Sequence, residues 1–152
     1  MSKQTQVFRV AMKAMIIKGD KLLIVYKSKA EAKEWSSEAV ALDDNDEVRR
    51  DLPGGRLDFG EAPAAALRRE VQEETGLEVE MGCPVDVWHI IKDNLQLVGI
   101  NYLCKWISGE VMLSDEHEAY EWLTEKELRA KGWHDIYKYL LAFEAAKGVH
   151  HD

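Results

Sequence analysis

Residues 55–77 read GRLDFGEAPAAALRREVQEETGL. Pro63 suits the first position of a helix, because its φ is already helical and the N–H it lacks would find no partner there. Gly76 suits the left-handed residue that ends a helix. Between them the sequence predicts a helix over 63–75, with Ala64, Leu67, Val71 and Thr75 on the face that packs. Glu70, Glu73 and Glu74 stand at i, i+3 and i+4 along the edge of that face. At 3.6 residues per turn they project within roughly 100° of one another. Like charges at this spacing repel by a few tenths of a kcal/mol per pair, so the helix itself has no use for them. A hard cation does: Mg²⁺ takes carboxylate oxygens together with waters and the phosphate oxygens of a substrate.

Upstream, 7–17 and 21–27 read as strands joined by a Gly19-Asp20 turn. Residues 28–51 form a long polar connection, either functional or a surface insertion. Leu52-Pro53-Gly54-Gly55 is a turn, and RLDF (56–59) a short strand. Downstream, 78–91 and 95–106 are strands about a Lys92-Asp93-Asn94 turn. Shorter strands follow over 109–113 and 118–123, then helices near 124–131 and 134–147. Strands with a few helices imply an α/β or α+β fold, with helices packed on a sheet.

The 152 residues predict one domain over 1–152, large enough for a real core. No apolar run approaches the ~18 residues of a membrane span, and the N-terminal stretch lacks the apolar block of a signal peptide. Cys83 and Cys104 suit a reducing cytosol better than a disulfide framework. These features predict a cytoplasmic protein. Its net charge of −8 argues against a sequence-independent nucleic-acid binder, which needs a basic footprint. Small anionic ligands are still allowed where metal ions bridge them to acidic groups.

The segment resembles the Nudix box, G-x5-E-x7-R-E-U-x-E-E-x-G-U with U a bulky aliphatic residue. Gly55, Glu61, Arg69, Glu70, Val71, Glu73, Glu74, Gly76 and Leu77 fill every fixed position. The resemblance implies an α/β/α sandwich with a mixed central sheet and a loop–helix–loop motif. It implies a hydrolase of nucleoside diphosphate-linked substrates that uses Mg²⁺ or Mn²⁺. Glu73 and Glu74 would be metal ligands, Glu70 a ligand or the base, and the Gly54 carbonyl a backbone ligand. Arg69, one turn before Glu73, would orient its carboxylate, and Glu61 would act through a water or fasten the loop. Family members commonly add an acid six positions before a tryptophan. Here that is Glu116 before Trp122, with Glu118 and Glu121 as competitors. Either Glu70 or Glu116 could take the proton from water. His117, beside Glu116, reads as a structural or exposed residue.

For the substrate, Arg56 could reach a phosphate and Trp35 could stack on a base. The ADP-ribose group of the family carries a proline beyond the box where this chain has residues near Lys92, and the diadenosine polyphosphate group a tyrosine that 90–96 lacks. The chain is most similar to the MutT-like nucleoside triphosphate pyrophosphohydrolases, which would make the reaction (d)NTP to (d)NMP and pyrophosphate. A nucleotide sugar or another nucleoside diphosphate derivative is the alternative. A non-catalytic nucleotide-binding module is a further one, although such modules typically lose box carboxylates. The apolar closing helices leave room for a homodimer contact.

Overall fold

The computed structural model describes residues 5–31 and 49–148. Most of the 28–51 connection, Trp35 included, lies outside the described residues. Among the described residues seven strands form one sheet: β1 (Val7–Lys18), β2 (Lys21–Lys27), β3 (Arg50–Asp51), β4 (Gly54–Arg56), β5 (Glu78–Lys92), β6 (Leu95–Ser108) and β7 (His117–Thr124). The order is β3-β2-β1-β6-β5, with β4 paired to β1 and β7 to β2. β1 and β6 run parallel from Val7↔Leu95 to Ile17↔Lys105, and every other pair is antiparallel, so the sheet is mixed. β1 and β2 pair only beside their hairpin, at Ile17↔Leu22 and Lys18↔Lys21. Beyond that point β2 takes β7 and β3, while β1 takes β4. The segment joining β3 to β4 therefore crosses from one strand's edge to the other's and carries Asp51 and Gly54 with it.

Among the described residues three helices cover the sheet: α1 (Pro63–Thr75), α2 (Glu125–Ala130) and α3 (Ile136–Gly148). Alternation along the strands sends side chains to both faces. Met12, Ala14, Ile16, Leu23 and Val25 meet Leu67 and Val71 of α1 on one face. Met15, Leu22 and Ile24 meet Leu128 of α2 and Tyr139, Leu140 and Phe143 of α3 on the other. The result is the expected α/β/α sandwich with a mixed sheet.

Several local expectations are corrected. The packed face of α1 carries Ala66, Leu67, Val71, Glu74 and Thr75, while Ala64 is exposed in the first turn. Strand β4 covers Gly54–Arg56 rather than 56–59, because the chain turns at Asp58, whose N–H donates to Glu61 Oε1 (2.9 Å). Residues 109–113 form no strand. Met112 N–H donates to the Thr75 carbonyl (2.8 Å) and Ser114 N–H to that of Glu74 (3.1 Å). This segment satisfies the open carbonyls at the end of α1 instead of a ladder. The closing helices start one and two residues later than expected; Thr124 caps α2 in a capping box with Glu127. Cys83 and Cys104 are both free thiols. No helix among the described residues is long and apolar enough to cross a membrane.

Candidate metal and nucleotide site

Helix α1 holds the three glutamates in three environments. Glu73 is exposed, and Arg69 Nη1 donates to both its carboxylate oxygens (3.0 and 3.1 Å). Arg69 Nη2 donates to Glu61 Oε2 (2.8 Å), while Glu61 Oε1 closes the turn at Asp58. The Asp58 N–H and then the Arg69 guanidinium hold the Glu61 carboxyl below its ordinary range. Arg69 thus holds both oxygens of Glu73, and Glu61 ties Arg69 to the turn at Asp58.

Glu74 points the other way, and Glu70 lies between, with Oε1 4.0 Å from Arg69 Nη2. The Gly54 N–H donates to Glu74 Oε2 (3.1 Å), but Glu74 Oε1 is buried without a hydrogen-bond partner. Glu70 Oε2 is likewise buried and unpartnered. Burial pushes the Glu70 carboxyl up to about 7, against the pull of Arg69 and Lys13. It pushes Glu74 up to about 9, where Lys13 pulls down and Glu116 and Asp51 push further up. Gly54 is required by contact with backbone, whereas Gly55 faces the free end of a side chain. A Cβ on Gly54 (φ 133°) would stand 2.1 Å from the Met12 carbonyl oxygen, and one on Gly55 would stand 2.9 Å from Glu70 Oε2.

Three further residues complete this inner cluster, of which the sequence reading missed two. Lys13 Nζ lies 3.1 Å from Asp51 Oδ1 and donates to the Gly54 carbonyl (3.3 Å), the group expected to face a metal. Burial alone would lower the Lys13 ammonium, yet Asp51, Glu74 and Glu70 together hold it above its ordinary value. Burial alone would raise Asp51, but Lys13 and the hydrogen bond with His117 hold it well below the usual carboxylate range. Lys13 interrupts an apolar strand, which is the signal that could have marked it. Asp51 ends a polar stretch and carries no such mark. His117 is structural in being buried, but its ring also reaches the acids: Nε2 is 3.4 Å from Asp51 Oδ2 and Nδ1 3.8 Å from Glu74 Oε1. Ligand atoms of Glu74, Glu116 and His117 lie within 4.8 Å of one another. The competitors are engaged elsewhere: Glu118 with Arg49, and Glu121 with Tyr26 (2.7 Å) and Lys131 (2.9 Å).

A hard divalent cation fits these residues. Two buried carboxylate oxygens lack partners, three acids (Asp51, Glu74 and Glu70) share the Lys13 ammonium, and Glu116 adds its charge beside Glu74. Buried anions normally demand pairing, and oxygen donors of this kind suit Mg²⁺ or Mn²⁺.

Beside the cluster lies a cleft of about 1070 Å³. Lys13, Asp51, Gly54, Gly55, Arg56, Glu116 and His117 line one part of it, and Asp86, Trp88, Ile90, Leu97 and Asn101 another. Gly54 and Gly55 line the cleft beside Glu74 and Glu70, whereas Glu73 stands in solvent. Trp88 lies flat over Gly99, where a Cβ would come within 1.9 Å of the ring, and its Nε1 donates to Asn101 Oδ1 (2.9 Å).

A NUDIX domain match spans residues 7–143. The chain belongs to the NUDIX family. A MutT-like protein of Streptomyces ambofaciens is 35% identical over 79 residues, which are 51% of this chain and 49% of that protein. The chain thus spans about half the length of that relative. The MutT protein of Methanosarcina mazei Go1 has the same fold, with a TM-score of 0.67 at 20% identity, over 99% of this chain and 100% of that one. The MutT NUDIX hydrolase of Burkholderia pseudomallei gives a TM-score of 0.63 at 25% identity, covering 80% and 87%.

Proposed function

We propose that this NUDIX protein is a cytoplasmic, single-domain, metal-dependent hydrolase that cleaves the phosphoanhydride of a nucleoside diphosphate-linked substrate. The substrate read here is a (d)NTP, released as (d)NMP and pyrophosphate. The observation that carries the reading is the pair of buried, unpartnered oxygens on Glu70 and Glu74, set against the glycine pair that lines the cleft. The likeness to the MutT-like relative supports the triphosphate.

In this reading Glu70, Glu73, Glu74, Glu116 and the Gly54 carbonyl hold Mg²⁺ or Mn²⁺. The bound ion would neutralise phosphate charge and lower the pKa of water. Arg69 positions Glu73, and His117, seated on Asp51, positions Glu74. Lys13 and Arg56 meet substrate phosphates, and Lys13 would exchange its bond to Gly54 for them. Glu70 and Glu116 are the two carboxylates available to take the proton of the attacking water. Trp88, held flat by Asn101, offers the cleft an aromatic face for a base. The cleft exceeds the 300–1,000 Å³ or so of common small-molecule sites, which leaves room for a nucleotide sugar as the alternative substrate.

Phosphate and pyrophosphate release across a nucleotide panel with Mg²⁺ tests the proposal. The (d)NTPs should yield pyrophosphate, and Glu73→Gln should lower the rate roughly 10²-fold or more. Binding without turnover would leave a non-catalytic module. Faster turnover of nucleotide sugars would move the substrate to the alternative.

A further inference from the structure

Strand β5 ends the sheet among the described residues. Its two halves treat that open edge differently. The first half is interrupted by register shifts between Met81 and Asp86 and carries Pro84, devices that discourage another strand from adding. The second half, Asp86 to Lys92, pairs with β6 without a break. Lys92 and Leu95 close a two-residue turn and so form a hydrogen-bonded pair. Backbone groups of the even-numbered residues therefore face β6, and those of Val87, His89 and Ile91 face outward. The same corner gathers exposed apolar side chains: Val87 is 66% exposed, Ile90 51%, Ile91 64% and Phe8 70%. Phe8 lies in one row with Ile91, through Gln96.

We propose that residues 86–92 of β5 pair antiparallel with the same segment of a second copy of this chain, about a two-fold axis at His89. The segment is self-complementary in that register. Asp86 faces Lys92 of the partner subunit, Val87 faces Ile91 of the partner subunit, and Trp88 faces Ile90 of the partner subunit. His89 meets its own counterpart. The outward N–H and C=O groups of His89 and Ile91 and the Val87 C=O then find partners, and the Val87 N–H exchanges its bond to Asp86 Oδ1 (2.9 Å) for one across the seam. The charge pair and the aromatic pair fall at the non-hydrogen-bonded positions, where side chains of facing strands come closest. A shift of the axis by one residue either way sets Asp86 opposite Ile90 or Trp88 opposite Lys92 and loses the charge pairing. Because Asp86 and Lys92 line the cleft, the pairing also brings Lys92 of the partner subunit into the cleft wall.

Sedimentation equilibrium of the full chain tests this, with circular dichroism to show that each variant is folded. The wild type should give twice the chain mass. Asp86→Lys and Lys92→Asp should each weaken association about tenfold, since each sets like charges opposite one another twice. An equimolar mixture of the two variants should regain the wild-type affinity, because the mixed dimer restores opposite charges at both sites. Val87→Lys, on the other face of the ribbon, should also weaken the dimer. A monomeric wild type, single variants that dimerise as well as the wild type, or a mixture no tighter than its components would each overturn the proposal.

Discussion

Glu73 and Glu74 are neighbours in sequence and opposites in environment. Glu73 lies in water with Arg69 bonded to both its oxygens, and Glu61 completes that outer chain of charges. Glu74 is buried with one oxygen on the Gly54 N–H and the other on nothing, within a group that also holds Glu70, Asp51, Lys13 and His117. The outer set is satisfied and exposed, so it contributes little stability. The inner set is short of positive charge and buried, which costs stability unless something supplies that charge. The same helical pattern thus gives one carboxylate that an arginine can orient and two that await a cation.

The largest break in this comparison comes from the inner set. Glu74→Gln should lower turnover roughly 10²-fold or more, about 3 kcal/mol in the barrier, measured as pyrophosphate release at saturating Mg²⁺. Next is the backbone beneath it. Gly54→Ala should cost about 3 kcal/mol or more of stability in urea unfolding, because the new Cβ meets the Met12 carbonyl at a φ that L-residues avoid.

The pH response sharpens the contrast. Glu70 and Glu74 have folded-state pKa values raised from 4.5 to about 7 and about 9. Their contribution to stability is fully present below 4.5 and is lost as pH rises through those two values. Asp51, held low by Lys13 and His117, acts in the other direction and loses its contribution only as pH falls below 3.8. Urea unfolding in chelator should therefore show these two glutamates weakening the protein between about pH 5 and pH 9. Replacing both with Gln should flatten that fall. The smallest effect belongs to the arginine of the outer set. Arg69→Ala should change stability by about 0.5 kcal/mol while lowering kcat about tenfold through a loosened Glu73, with Arg69→Lys recovering only part of it because a single ammonium cannot hold both oxygens.

Much of this was legible in the sequence where the signal is local. Pro63 and Gly76 bound α1 by their own backbone preferences, and alternation marked the long strands. The Arg69–Glu73 clamp followed from one helical turn. What escaped depended on distant partners. The stretch 109–113 looks like a strand, yet its hydrogen bonds go to the carbonyls of Glu74 and Thr75, which no pattern within the stretch reveals. Lys13 and Asp51 are far apart in sequence and meet only because β1 and β2 part. Ala64 and Ala66 are chemically alike, so only the tilt of α1 on the sheet decides which is buried. His117 looked structural because nothing local to it named Asp51 and Glu74 as its neighbours.

Mn²⁺ binding, followed by loss of the free-ion paramagnetic resonance signal, tests the central claim most directly because it needs neither substrate nor turnover. The wild type should bind Mn²⁺ and release it to excess Mg²⁺. Glu74→Gln and Glu70→Gln should each bind markedly more weakly, while Arg68→Ala, which breaks only the exposed pair with Glu78, should bind like the wild type. A wild type that leaves the signal untouched, or a Glu74→Gln variant that binds as tightly as the wild type, would contradict the account.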